Sequence, residues 1–252
     1  MIKCARPFII ITGLLLAWQL LIYTTEVPPY ILPDPLSVFQ ALFERFDTLI
    51  NHAGITLLEI ILGFLIGSLL GCCSALVLAT VKSARDWLTP LLVITQSLPV
   101  FALAPILVLW LGYGLASKIT MAVLIIYFPV TAAFYDGLRR TPKDWQALAQ
   151  VMGAKPLAFL VHVRIPLALP ALSSGLRVAM ATAPIGAIVG EWVGSSEGLG
   201  YLMLHANGRM QIDLMFAALL ILSIMAVSLY LTTDHLLHKL LRHLSLDDHK
   251  TR

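Results

Sequence analysis

Six apolar windows dominate this chain, and each is near the length a helix needs to cross the hydrocarbon core of a bilayer, roughly 20 residues. They lie at 9–23, 53–80, 87–111, 119–135, 171–193 and 214–232. Backbone in lipid must satisfy its own hydrogen bonds, and apolar runs this continuous do so as helices. With 59% hydrophobic and 12% charged residues in 252 positions, and a mean hydropathy of +0.88, the sequence predicts an all-α, polytopic membrane protein. A single transmembrane domain over 1–252 with six transmembrane helices is expected. The first window follows Lys3 and Arg6 as a signal peptide would, yet residues 22–27 offer no small-x-small cleavage site, so it reads as an uncleaved anchor.

Orientation follows from Lys and Arg, which cytoplasmic loops retain. With the N-terminus inside, thirteen fall in inner segments, five of them at Arg139, Arg140, Lys143, Lys155 and Arg164. Only Arg45, Lys118 and Arg209 fall in outer segments, and Arg177 lies within a window. Both termini are therefore expected in the cytoplasm. The formal net charge of +3 then reflects topology rather than affinity for nucleic acid, and no aromatic-rich basic stripe argues otherwise.

Catalytic signatures are thin. No lysine follows a glycine, which excludes a G-x-x-x-x-G-K phosphate loop. The histidines form no H-E-x-x-H, and those from His235 onward accompany a basic amphipathic tail over 236–243, expected on the membrane surface rather than around a metal. Cys4 would face a reducing compartment, while Cys72 and Cys73 are adjacent in an apolar run, so neither a disulfide framework nor a metal site is expected.

Within the windows, Gly63, Gly67 and Gly71 recur every four residues and strip one helix face of bulk, which permits close approach to a neighbour, most simply within the chain. Pro99, Pro105 and Pro184 interrupt the third and fifth windows. Broken helices are tolerated where they line a cavity or are covered by neighbours. Gln96 and Ser97, with Tyr127 and Thr182 at similar depth, are candidates for the wall of a solute path, and ordinary packed kinks are the alternative. Glu59 and Glu191 lie toward the outer ends of their windows and Arg177 toward an inner end, where its side chain can snorkel. Arg177 and Glu191 are 14 positions apart, roughly 21 Å along a helix, so they cannot pair within it. A proton relay is disfavoured, and Glu191 joins the candidates for the path.

The loop at 137–170 is basic and punctuated by prolines, set between apolar windows. Pro142 can open a helix with Thr141 as N-cap, Trp145, Leu148, Ala149 and Met152 repeat at helical spacing, and Gly153 ends it. A second apolar segment over 157–163 is expected to stop at Pro166 and Pro170, before the next span. A short amphipathic helix projecting from a membrane can enter a groove on a soluble partner.

This loop resembles that of permease subunits of ATP-binding-cassette importers, E-A-A-x-x-x-G, nine residues, then I-x-L-P. Here it stands as Ala147, Leu148, Ala149, Gly153, Val163, Ile165 and Pro166, with the spacing kept and Ala147 replacing the usual acid. The similarity extends over about 56–232. TLLEIILGFLIGSLLG, PVFALAPILVLWLGYG and GEWVGSSEGLGYLMLHANGRMQIDLMFAAL are similar to the branch serving sulfonates, taurine, nitrate and thiamine-pathway pyrimidines. FPVTAAFYDGLRR and YLMLHANGRMQ are most similar to permeases for hydroxymethylpyrimidine precursors.

The resemblance implies the type I importer transmembrane fold with a cytoplasmic coupling helix, in the bacterial inner membrane, worked by alternating access. Its partners would be a second membrane subunit, a cytosolic ATPase dimer carrying ATP and magnesium, and an extracytoplasmic solute-binding protein. No cofactor or metal is expected in this chain. Six helices are few to enclose a path for an organic solute, which favours a homodimer with the route between copies. Taurine, alkylsulfonates or nitrate are the alternative substrates. An ATPase-independent secondary transporter would need ionisable residues at the midplane and inverted repeats, and an intramembrane enzyme would need a nucleophile and base or a metal cluster; the sequence shows none of these.

Overall fold

A computed structural model describes the backbone of residues 2–97 and 99–250 and side chains apart from those at 1–8, 11, 89, 91, 93, 95–98 and 243–252. Among the described residues every element is helical: α1 (Ile2–Thr25), α2 (Pro35–Glu44), α3 (Phe46–Thr80), α4 (Lys82–Ser97), α5 (Val100–Leu111), α6 (Leu115–Arg139), α7 (Lys143–Val151), α8 (Pro156–Phe159), a π-helical turn (Leu160–Arg164), α9 (Ile165–Gly194), α10 (Leu199–Gly208) and α11 (Ile212–Lys250). Four stretches are long and apolar enough to cross a membrane: Phe46–Thr80, Leu115–Arg139, Pro156–Gly194 and Ile212–Arg242. Thr12–Thr25 and Val100–Leu111 are apolar but shorter.

Several boundaries differ from the sequence expectations. The window at 87–111 is two helices, because Pro99, which has no N–H to give, becomes the N-cap of α5. Pro166 and Pro170 do not end a segment: Pro166 occupies the first turn of α9, where an N–H is dispensable, and Pro170 and Pro184 lie inside the same helix. The wider π-helical turn carries α8 into it. Thr141 does not cap α7. Pro142 takes that position, while the Thr141 hydroxyl donates to the Leu138 carbonyl at 3.2 Å. The basic tail expected on the membrane surface continues α11 without a break.

The chain forms two compact units. Met1–Thr56 with Ser196–Ile224 makes the first. Here Asp34 caps α2, its carboxylate accepting from the Ser37 N–H at 2.9 Å, with Pro35 following at N1, a cap that contributes on the order of 1 kcal/mol. Hydrogen bonds from the side chain and then the backbone of Ser37 hold that carboxyl below its ordinary range. At α10 the orphan amides of the N-terminus find acceptors on α3: Gly198 N–H donates to His52 Nδ1 at 2.9 Å and Leu199 N–H to Thr56 Oγ1 at 2.8 Å. Because Nδ1 accepts, the His52 proton sits on Nε2. Trp18 and Phe216 meet with ring centroids 5.6 Å apart.

Leu57–Ser195 with Met225–Arg252 makes the second unit. Its centre is α6, packed against α3 in parallel and α9 in antiparallel. Gly63, Gly67 and Gly71 of α3 face Ala122, Ile126 and Val130 of α6 in turn, so the stripe of small residues is a contact within the chain. On the other side Gly186 and Gly190 of α9 lie against Ala122 and Lys118, and Gly175 against Ala133. Without side chains at these points the helix backbones come close enough for dispersion along their length to hold them. Ile60, Ala122, Ile126, Val130, Ala183 and Ala187 form the buried core between them.

Candidate functional site

Two places in the second unit concentrate polar chemistry. The first surrounds α7. Its N-terminus is set by Pro142, and Gln146 Nε2 donates to the Thr141 carbonyl at 3.1 Å. Its C-terminus closes with Gly153 at φ +68°. The Ala154 N–H reaches back to the Ala149 carbonyl at 2.9 Å and the Gly153 N–H to Gln150 at 3.0 Å, the paired bonds of a Schellman cap. Only glycine enters that left-handed conformation without penalty, which is the physical reason for Gly153 at this point. No residue of α7 is buried. Trp145, Leu148 and Met152 line an apolar depression with Phe159 and Val163, and Val151 and Met152 are 87% and 75% exposed. Ala147, Leu148, Ala149 and Gly153 thus belong to one rigid, projecting helix and its cap. Val163 lies on the π-helical turn, and Ile165 and Pro166 open α9.

Between these segments stands Arg164, which the sequence reading counted only as a loop cation. Its Nε and Nη2 donate to the Leu138 carbonyl at 3.2 and 3.0 Å, and Nη1 donates to the Ala79 carbonyl at 3.4 Å. A cation on the last carbonyls of two helices satisfies groups the helices cannot and meets the negative end of their dipoles. Arg164 thus ties the turn after α8 to the ends of α3 and α6. The signal in sequence was weak, one arginine beside an apolar run.

The second place is a buried cluster at the opposite ends of these helices. Lys118 Nζ pairs with Glu59 Oε1 at 2.5 Å, with side chains 4% and 0% exposed, and donates to Ser195 Oγ at 3.0 Å. Glu191, 1% exposed, interacts with the same Glu59 carboxyl. Lys118 was expected in an outer loop. It lies instead in the first turn of α6, because the helix begins at Leu115 and Gly190 gives the lysine stem room. Arg177, at the inner end of its helix, pairs with Asp234 of α11 at 2.5 Å. Both cations meet partners contributed by other helices.

The residues proposed for a path lie on α4, α6 and α9. Tyr127 donates its hydroxyl to Ser74 Oγ at 2.9 Å, and Thr182 Oγ1 bonds the Val178 and Ala179 carbonyls of its own helix. Gln96 and Ser97 end α4, and their side chains lie outside the described residues. Among the described residues no group of three metal-ligating side chains occurs.

An exposed amphipathic helix lies beside a cation bonded to the ends of two helices long and apolar enough to cross a membrane. Residues 63–244 match the family of binding-protein-dependent transport system inner membrane components. The chain is 57% identical to a probable ABC transporter permease protein of Haemophilus influenzae, covering 94% of this chain and 97% of that one. It is 36% identical to a formylaminopyrimidine transport permease protein of Halalkalibacterium halodurans over 79% and 80%. A riboflavin transport system permease protein of Chloroflexus aurantiacus is 34% identical over 90% and 85%. Among solved structures, a methionine ABC transporter in an inward-facing conformation aligns at a TM-score of 0.67 with 20% identity, over 78% of this chain and 97% of that one. The chain belongs to the inner membrane component family of binding-protein-dependent ABC transporters. It is a permease subunit rather than an enzyme, in a family whose ATPase is a separate chain and whose members work with solute-binding proteins.

Proposed function

We propose that two copies of this chain form the solute path of an importer for hydroxymethylpyrimidine-type thiamine precursors, with α7 as the helix on which a cytosolic ATPase pushes. The observation that carries the reading is the Schellman-capped α7, none of whose residues is buried, beside the Arg164 strap. α1 and the broken α4 and α5 pair supply two crossings beside the four long helices, with both termini in the cytoplasm. Closure of the ATPases on ATP moves α7 as a rigid body, Arg164 transmits the shift to α3 and α6, and the route between copies opens outward; hydrolysis restores the inward state. Gln96, Ser97, Tyr127 and Thr182 are candidates for the wall of that route. Glu191, enclosed in this conformation, would join them only where α9 parts from α3 and α6.

The lever is tested by Gly153→Leu. A methyl group there meets open space, so the substitution acts through the positive φ, a penalty of about 1 to 2 kcal/mol that loosens the cap. In proteoliposomes with ATPase and binding protein, ATP hydrolysis should persist while uptake falls about tenfold or more, with insertion unchanged. Uptake at the parental rate would remove α7 from the mechanism.

For the substrate, the support is the likeness to a formylaminopyrimidine permease and the motifs it shares with pyrimidine permeases. Aminopyrimidines should compete for labelled precursor taken up by the same assembly, while taurine, alkylsulfonates, nitrate and riboflavin should not. The reverse pattern would reassign the cargo and leave the transport reading standing.

A further inference from the structure

Adjoining its apolar side, α7 also borders a cleft of about 450 Å³. Gln146 and Gln150, one helical turn apart, line it from α7, and Arg85 of α4, Arg139 of α6 and Arg164 line it from the other sides. Three guanidinium groups thus converge on one space, and no carboxylate is among the residues lining it. None of the ion pairs between described residues involves these arginines. Arg85 is near enough to Arg164 for the two charges to repel. Two of the cations are held in place: Arg164 by the carbonyls of Leu138 and Ala79, and Arg139 by stacking over the Tyr135 ring at 5.4 Å. After its three bonds to carbonyls Arg164 still has N–H groups to offer, since a guanidinium carries five.

Fixed, converging, uncompensated cations with nearby amide donors make a site for a polyoxygen anion, because guanidinium forks match phosphate oxygens in geometry as well as charge. The level of the cleft narrows the choice. Ala79 stands one residue from the end of Phe46–Thr80, Arg139 closes Leu115–Arg139, and Pro156 opens the next candidate span. Three membrane-length helices end around this space, at the depth where phospholipid headgroups lie. A docked protein partner is matched by the adjoining apolar side of α7.

We propose that this cleft binds a phosphate group, supplied by the headgroup of an anionic phospholipid or by a soluble phosphate. The site depends on where these helices end and not on which solute is carried, so its test needs no transport.

The full-length chain, purified in a neutral detergent, is titrated with phosphatidylglycerol, with phosphatidylcholine, and separately with inorganic phosphate. Retained lipid is followed by native mass spectrometry and thermal stability in parallel. Phosphatidylglycerol should be retained and raise the unfolding temperature, phosphatidylcholine much less. The double substitution Arg85→Gln and Arg139→Gln should weaken retention by about tenfold or more. Arg164 is left intact because it also holds helix ends. If inorganic phosphate alone stabilises the parent and not the double variant, the site stands with a soluble source. If neither phosphatidylglycerol nor phosphate has an effect, or if the double variant keeps the whole effect, the proposal fails. It fails equally if the double variant binds phosphatidylglycerol normally but no longer co-purifies with its ATPase, which would give the cleft to a carboxylate of that partner. Should the double variant not fold, Arg85→Gln alone, at an exposed helical position, is read by the same outcomes.

Discussion

Replacing Lys118 by Met is expected to remove a large share of the stability of the chain in detergent. The substitution keeps the length of the side chain but deletes the cation paired with Glu59, leaving two carboxyl groups, 0% and 1% exposed, without it. Breaking a buried pair by removing one partner costs about 3 to 5 kcal/mol, because the remaining charge has neither water nor counter-ion. Against a total margin of about 5 to 15 kcal/mol for a folded protein, that should appear as a large fall in unfolding temperature and in the yield of folded protein. The pair differs from the singles: Lys118→Met combined with Glu59→Gln removes the charge as well as its partner, so at least half of the loss should return. A Lys118→Met variant as stable as the parent would show that the cluster does not form in the membrane-extracted protein.

Gly186→Ala is the second large effect, and it separates two kinds of close packing. A methyl group at Gly186 would lie 2.7 Å from Cα of Ala122, which is backbone, so α9 must move away from α6. At Gly63 the obstacle is the Ala122 methyl itself. Overpacking of this sort costs about 1 to 3 kcal/mol and more where backbone blocks relief. Both single substitutions should lower the unfolding temperature. Ala122→Gly should restore the Gly63→Ala variant and leave the Gly186→Ala variant impaired. Equal rescue of both would mean that α6 and α9 are not in backbone contact.

Much of this was legible beforehand. The apolar windows at 53–80, 119–135, 171–193 and 214–232 sit within long helices, since hydrophobic continuity over a bilayer thickness leaves few other conformations. The end of α7 was legible too, because Gly153 is the residue a left-handed cap requires. The close spacing of Gly63, Gly67 and Gly71 announced a helix contact, though not that α6 receives it. Less was legible where the outcome depended on what another helix brings. Pro99 begins a new helix whereas Pro170 and Pro184 lie inside one. α2 and α10 rest on local caps and cross-helix acceptors, Asp34 in one case and His52 with Thr56 in the other.

The sequence by itself determined that this chain lives in a bilayer as helices, and it marked the projecting loop with its glycine, because hydropathy, helical period and backbone sterics act over a few turns. Tertiary structure alone decided which charges are partners. Glu59, Lys118 and Glu191 are far apart in the chain yet share one enclosed space, and Arg164 bonds carbonyls 26 and 85 residues away. The reason is physical: the energy of a charge depends on the groups around it in space, and helix packing, not neighbours in sequence, supplies those groups.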